Sequence, residues 1–155
     1  MSAQATEHLR WEHDRIRDLL GRLETALEPL DLGEIRKVTE SLDALLGRHQ
    51  RKEQEILFPA LLRKASPSNP PVLQLVHEHA RQETYAETIR AFLSVLREQN
   101  VSAQPLVRAC RSLTSFYRDH LRHEETVLFP CVDANLSAPE QEELAARMAE
   151  MEAVL

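Results

Sequence analysis

Apolar residues recur three and four positions apart along four long segments of the chain, which is the spacing of amphipathic α-helices. The segments run from about Thr6 to Leu27, Glu34 to Leu62, Val72 to Gln99 and Gln104 to Phe129. Pro59 is expected to kink or end the second helix because a proline removes one helical hydrogen bond. Since the connections are short, the pattern predicts an all-α, up-down-up-down four-helix bundle.

A fifth, shorter helix is predicted at the C-terminal end, where residues 137–140 read as a capping box. Its narrow apolar stripe suits packing on the bundle or on another chain, so we consider a homodimer through this helix as well as a purely internal role. The segment Ala65–Pro71 (ASPSNPP) is the predicted linker between two halves. We expect a single domain over residues 1–155, with its core at about 6–135 and the added helix at about 137–155.

Polar residues interrupt the apolar seams near the middle of every long helix. They are His13, His49, Glu53, His79, Glu83, His120 and Glu124. Antiparallel packing would bring all seven to one level of the bundle, where an unpaired carboxylate costs several kcal/mol. Each could instead be a satisfied core histidine or a glutamate with a local arginine partner. Taken together, however, they cannot readily neutralise one another in a dry core.

An eleven-residue motif occurs twice: residues 49–59 read HQRKEQEILFP and residues 120–130 read HLRHEETVLFP. Both begin with His, carry Glu at the fifth position and end in Leu-Phe-Pro. A Glu-His pair also precedes each motif, as Glu12-His13 and Glu78-His79. We interpret this as the internal duplication of a helical hairpin.

An imidazole and a carboxylate four residues apart lie side by side on a helix, and mixed nitrogen and oxygen donors suit a transition-metal ion. Seven ligands overfill a single site, so two ions about 3.5–4 Å apart fit better. Glu53 and Glu124 would bridge them. His13 and His49 would bind one ion, and His79 and His120 the other.

The remaining polar residues are expected outside the ligand set. Glu55 and Glu125 point away from the ligand face and are predicted to be solvated. The histidines that fail the repeat test, His8, His77 and His123, are predicted to lie at the surface or behind the ligands.

Three residues close to the ligands are candidates for supporting roles. Glu12 and Glu78 stand beside single histidines and could hydrogen-bond to ligands. Tyr117, one turn before His120, fills core space or donates a hydrogen bond to a small ligand. The two cysteines, Cys110 and Cys131, would lie about 30 Å apart on a continuous helix, so both are expected to be reduced.

The charge balance limits the partners of this chain. Its net charge of −6 argues against nucleic acid and anionic membranes as default partners. No apolar run reaches the length of a membrane span, and the N-terminus lacks the pattern of a signal peptide. We therefore expect a cytoplasmic protein without a membrane partner.

The histidine and glutamate motifs with their Leu-Phe-Pro endings resemble the hemerythrin-like (HHE cation-binding) domain over about residues 6–135. The resemblance implies a four-helix bundle with a non-haem di-iron centre, bridging carboxylates and terminal histidines. Zinc or manganese are substitutes for iron. In hemerythrin proper the third helix supplies His-x3-His, whereas this chain has His79-x3-Glu83, which would make the two irons unequal. The fourth-helix motif, His-x3-Glu, points to the sensing and stress-related branch rather than to oxygen carriage.

Three functions follow from this resemblance. The first is a di-iron protein that binds or senses a small oxidant, namely dioxygen, nitric oxide or peroxide. The second is an enzyme that decomposes peroxide or reduces nitric oxide at the same centre. The third is a structural or interaction bundle that holds zinc.

Overall fold

The computed structural model describes residues 4–65 and 70–154, and every regular element within those ranges is helical. The predicted all-α class is confirmed. In chain order the α-helices are α1 (Ala5–Leu27), α2 (Leu32–Lys52), α3 (Phe58–Lys64), α4 (Pro70–Glu98), α5 (Gln104–His123), α6 (Phe129–Asn135) and α7 (Ala138–Val154). Two π-helical segments, π1 (Glu53–Leu57) and π2 (Glu124–Leu128), join α2 to α3 and α5 to α6.

The long helices form the predicted antiparallel bundle. Helix α1 packs against α2 and α5, and α4 packs against the same two helices. Part of the predicted linker Ala65–Pro71 lies outside the described residues, since the structure describes neither 66 nor the three residues after it. Within residues 4–65 and 70–154, no helix combines the length and apolar character needed to cross a bilayer.

The hydrophobic core consists of two clusters with a polar level between them. On α1, Leu9 belongs to one cluster and Ile16 to the other, and His13 lies between them. On α4, Leu75 and Ile89 belong to different clusters in the same way. The apolar clusters therefore hold the two ends of the bundle together and leave its middle to polar side chains.

The Leu-Phe-Pro endings do not terminate their helices. Phe58 donates its backbone N–H to the Glu53 carbonyl five residues earlier, and Phe129 donates to Glu124 in the same way. These wider turns lie immediately before the prolines, whose missing N–H breaks the α-helical ladder. The second helix therefore continues to Lys64, and the predicted end of the fourth helix at Phe129 is wrong because the chain stays helical to residue 135.

The extra residue of a π turn also changes which side chains face inward. The spacing of a regular α-helix, continued from His120 and Glu124, places Val127 on the buried face, but Val127 is 38% exposed, whereas Leu128 is fully buried. A spacing of 3.6 residues per turn does not predict the buried positions after Glu124, because π2 accommodates one more residue than an α turn.

Regular helical spacing from His79 places Val76 and Glu83 on the buried face of α4, but neither side chain lies there. Val76 is 41% exposed and the Glu83 side chain is 57% exposed, where it accepts a hydrogen bond from Arg90. Leu75 and Gln82 are buried instead. The prediction that Glu83 lies on the inner face is wrong, because the neighbouring position, occupied by Gln82, points into the bundle.

Helix α7 covers one end of the bundle. Ser137 and Glu140 form the predicted capping box, with the Glu140 backbone N–H 3.3 Å from the serine hydroxyl. Leu144 and Met148 are buried in the cluster that also contains Leu9 and Phe129. The apolar stripe of α7 thus packs on its own chain, and the homodimer through this helix stays a prediction.

Candidate metal centre

Six of the seven predicted ligands meet at the polar level of the bundle. His13, His49, Glu53 and Glu124 are fully buried, and His79 and His120 are 3% and 1% exposed. All four long helices of the bundle contribute, because α1 and α4 each carry one of these four histidines, while α2 with π1 and α5 with π2 each carry one His-x3-Glu pair. The structure does not bring Glu83 into this group.

One half of the centre is formed by Glu53, His79, His120 and Glu124. One donor atom from each residue lies within 4.8 Å of all the others. His79 Nε2 lies 3.5 Å from Glu53 Oε1, and His120 Nε2 lies 3.3 Å from Glu124 Oε2. Two imidazole nitrogens and two carboxylate oxygens thus surround one position.

The other half is formed by His13, His49 and Glu124, which meet the same distance limit. Glu124 Oε1 lies 2.9 Å from His13 Nε2 and 3.3 Å from His49 Nε2. Glu53 Oε1 is 3.1 Å from His49 Nε2, so it reaches this half as well. The grouping therefore follows the pairing of histidines expected from the sequence, with both glutamates between the two halves.

Among the described residues, several inward-facing donor atoms of this buried site have no hydrogen-bond partner. They are both carboxylate oxygens of Glu53, Glu124 Oε2 and the Nε2 atoms of His79 and His120. Buried polar groups are rarely left unpaired, and each such atom costs about 1–3 kcal/mol. A divalent cation would satisfy the whole set, and these nitrogen and oxygen donors fit iron, zinc or manganese.

In the metal-free site, protons bound to the histidines supply the positive charge that a cation would bring. Burial opposes a charged His120, but Glu124 outweighs it and raises the pKa of this imidazole to about 10. Burial likewise opposes a charged Glu124, while His120 keeps the pKa of this carboxyl well below its usual range. Because metal binding requires neutral imidazoles, an incoming ion must displace these protons.

A second layer of side chains contacts the outer ring nitrogens of the histidines. His13 Nδ1 lies 2.7 Å from Glu125 Oε2, and His49 Nδ1 lies 3.0 Å from Glu12 Oε1. Such contacts hold the ring with Nε2 directed inward, as ligating histidines require.

The second hairpin has one hydrogen bond of this kind and one longer contact. His79 Nδ1 lies 2.9 Å from Gln54 Nε2, and Glu78 Oε1 is 3.6 Å from His120 Nδ1. The other oxygen of Glu78 lies 3.0 Å from His123 Nδ1. Glu12 therefore makes the predicted hydrogen bond to a ligand candidate, whereas Glu78 lies beside His120 but hydrogen-bonds to His123.

Two of these supporting residues were missed from the sequence. Glu125 was expected to be solvated, yet it contacts His13 and accepts a hydrogen bond from Arg17 at 2.7 Å. Gln54 was not considered. Both occupy the sixth position of the repeated motif, directly after the glutamate ligand candidate, and that shared position was the available signal. Glu55, by contrast, is exposed and paired with Arg51, as predicted.

A buried lysine lies behind the His49 side of the centre. Lys52 is fully buried and donates hydrogen bonds to Glu12 and, at 2.9 Å, to Glu152 of α7. Its Nζ also lies 3.1 Å from His8 Nε2. His8, Glu12 and Glu152 would otherwise resemble a third group of metal ligands, but the ammonium already supplies the positive charge there.

Tyr117 is fully buried and its hydroxyl has no hydrogen bond among the described residues. Its ring centroid lies 5.1 Å from that of His120. Burial raises the pKa of the phenol, so Tyr117 stays a neutral donor beside the centre. The predicted alternatives, core filling and hydrogen bonding to a small ligand, are both compatible with this position.

Two comparisons with known proteins bear on the family of this chain. The Hemerythrin HHE cation binding domain matches residues 4–132, and it matches residues 71–154 as well. A DNA nickase from Nostoc sp. (strain PCC 7120 / SAG 25.82 / UTEX 2576) is 26% identical over 140 residues. That match covers 88% of this chain but only 36% of the nickase, so the chain spans about a third of its relative. The chain belongs to the hemerythrin HHE cation-binding family.

Proposed function

We propose that this hemerythrin HHE domain holds two iron ions between its hairpins and uses them to bind or sense a small oxidant such as dioxygen, nitric oxide or peroxide. The observation that carries the proposal is the division of six buried donors into two overlapping groups that share Glu124. Iron, when bound, would supply one-electron exchange with such a ligand. Zinc or manganese fits the donors but zinc cannot change oxidation state.

The residues of the chain would divide the work of holding the ions. His13 and His49 would bind one ion and His79 and His120 the other, each through Nε2. Glu53 and Glu124 would each contribute oxygens to both ions. These donors leave each ion short of six ligands, so a small exogenous ligand has room to bind.

The surroundings of the centre favour a small and weakly hydrated ligand. Phe58 stacks on His79 and Phe129 on His13, with ring centroids 6.1 and 5.2 Å apart. These rings add apolar walls to a site whose donors are buried, so bulky or strongly hydrated molecules are disfavoured. Diatomic ligands and peroxide are small enough to reach such a site through fluctuations of the packing.

An anaerobic Fe²⁺ titration tests the paired centre. Binding should saturate near two ions per chain, and the oxidised protein should show magnetic coupling between them. Nitric oxide or azide should then change its optical spectrum. Saturation at one ion, or an iron-loaded protein that responds to no small ligand, would remove the basis for the proposal.

A second candidate is an enzyme that decomposes peroxide, and the unpaired hydroxyl of Tyr117 favours it. A buried neutral phenol can donate a hydrogen bond to a bound peroxide and orient it. The reaction balances as two hydrogen peroxide molecules giving two water molecules and one dioxygen. Oxygen evolution by the iron-loaded protein, reduced in Tyr117→Phe at unchanged iron content, would support the enzyme; no evolution would leave the binding or sensing role.

A further inference from the structure

The two hairpins share one geometric device that is built from different chemistry. Gln54 and Glu125 occupy the same position of the repeated motif, directly after Glu53 and Glu124. Each side chain reaches across to the opposite hairpin and contacts the ligand histidine that lies outside the repeated motif. Glu125 Oε2 lies 2.7 Å from His13 Nδ1, and Gln54 Nε2 lies 2.9 Å from Nδ1 of His79.

A carboxylate and an amide place different demands on an imidazole. An ionised carboxylate only accepts hydrogen bonds, so Glu125 requires a proton on His13 Nδ1 and leaves the Nε2 lone pair for a metal. An amide carries both a donor and an acceptor, and rotating the amide group by 180° exchanges their positions. Gln54 therefore tolerates either neutral form of His79, and its uncharged acceptor makes the weaker hydrogen bond.

We propose that Glu125 and Gln54 make the two metal positions unequal, such that the ion bound by His79 and His120 is held less tightly and leaves first. The proposal rests on the paired centre described above and adds the order in which its ions load and leave. Glu125 acts as a positioning residue that strengthens His13 as a donor. Gln54 lacks the charge to do the same for His79.

The other contacts either serve both halves alike or act in the same direction. Both halves can reach both bridging carboxylates, since Glu53 Oε1 lies 3.1 Å from His49 Nε2 and 3.5 Å from His79 Nε2. Glu12 Oε1 lies 3.0 Å from His49 Nδ1, whereas Glu78 Oε1 lies 3.6 Å from His120 Nδ1, so the contact behind His120 is also the longer one.

Glu12 and Glu125 each keep one carboxylate oxygen for a histidine although the other oxygen binds a second partner. Lys52 binds Oε2 of Glu12 and leaves Oε1 to His49, while Arg17 binds Oε1 of Glu125 and leaves Oε2 to His13. The sixth motif position is thus the point where a charged partner faces a neutral one across the centre.

The test measures stepwise removal of Fe²⁺ by a chelator under anaerobic conditions. Wild type should lose its two ions in two resolved steps. Gln54→Glu should tighten the looser step about tenfold, and Glu125→Gln should weaken the tighter step about tenfold, the lower end of the usual effect for partners of ligating histidines. Variants lacking His13 or His79 identify which step belongs to which half.

Matched substitutions control for net charge. The control for Gln54→Glu is Gln74→Glu, which changes an exposed glutamine on α4. The control for Glu125→Gln is Glu55→Gln, which changes an exposed glutamate that pairs with Arg51. Neither should move either step. The proposal is overturned if Gln54→Glu leaves the looser step unchanged, shifts both steps equally, or is matched by Gln74→Glu.

Nuclear magnetic resonance of the histidine ring nitrogens gives a readout without metal. In metal-free Gln54→Glu, the Nδ1 proton of His79 should move downfield from its wild-type position towards the signal of His13 Nδ1–H, because a carboxylate accepts a stronger hydrogen bond than an amide does. If wild type binds fewer than two ions, the paired centre fails, and this signal still decides the role of position 54. An unchanged His79 signal in Gln54→Glu would overturn the inference by itself.

Discussion

Phe129, at the end of the second motif, stacks on His13 of the first hairpin, with ring centroids 5.2 Å apart and planes inclined by 29°. Phe58 has the same relationship to His79 of the second hairpin. Each Leu-Phe-Pro ending thus closes over the single histidine of the other half. The duplication therefore repeats contacts made between hairpins, and each half completes the site of its partner.

Metal removal should lower the melting temperature. Within the described part of the chain, both oxygens of Glu53 and Oε2 of Glu124 are unpaired in the core, where they destabilise the metal-free protein, and a bound cation would compensate them. At an ion concentration one hundred times the dissociation constant, one bound ion adds about 2.7 kcal/mol. Calorimetry should show the iron-loaded protein melting roughly 5–10 °C above the metal-free one. Equal melting temperatures would mean that these donors are satisfied without metal.

Single ligand substitutions should separate the residues that meet at the centre from those that do not. His49→Ala, His120→Ala and Glu124→Ala should each lose at least one of the two ions, as measured by metal analysis of purified protein. Glu83→Ala and His77→Ala should retain both, because these side chains are exposed. Loss of iron in Glu83→Ala would contradict the placement of that residue.

Lys52→Met should be strongly destabilising even without metal. It would leave the buried carboxylate of Glu12 with His49 but without its ammonium partner, and it would remove the ion pair with Glu152 of α7; breaking a buried ion pair typically costs about 3–5 kcal/mol. Lys64→Met is the matched control, since Lys64 also pairs with α7, through Glu140, but is 52% exposed. That variant should lose less than about 1 kcal/mol in urea unfolding. Similar losses in both would show that burial of Lys52 has no special weight.

Acid should destabilise the metal-free protein between about pH 4.5 and pH 2. Burial would raise the pKa of Glu12, but His49 and Lys52 lower it from 4.5 to about 2. The hydrogen bond from His13 does the same for the pKa of Glu125, also to about 2, with Arg17 adding to it against burial.

A carboxyl whose folded-state pKa is depressed binds fewer protons folded than unfolded, so its contribution to stability is present above pH 4.5 and is lost as the pH falls through 2. Urea unfolding at a series of pH values should show this slope, and Glu125→Gln should flatten it. A slope unchanged in that variant would contradict the assigned role of the His13–Glu125 contact.

The helices and six members of the candidate site followed from the sequence because the information is local. Apolar spacing identifies the buried face of a helix, and a His and a Glu four residues apart must lie side by side wherever that helix packs. The duplication then related His13 to His79 before any tertiary contact was known. Polar residues on four apolar seams were enough to indicate a shared site.

Tertiary structure alone decided which side chains contact the outer nitrogens of the ligand histidines and which residues of α4 face inward. Glu83 and Gln82 are adjacent, and only the packing of α4 against its neighbours selects Gln82 for the interior. Glu125 looked solvated on its own helix, but it reaches His13 because α1 crosses beside π2. Lys52 is stable in the core only because Glu12 and Glu152 approach from other helices. Contacts between helices depend on packing and on the π turns, neither of which the spacing of apolar residues encodes.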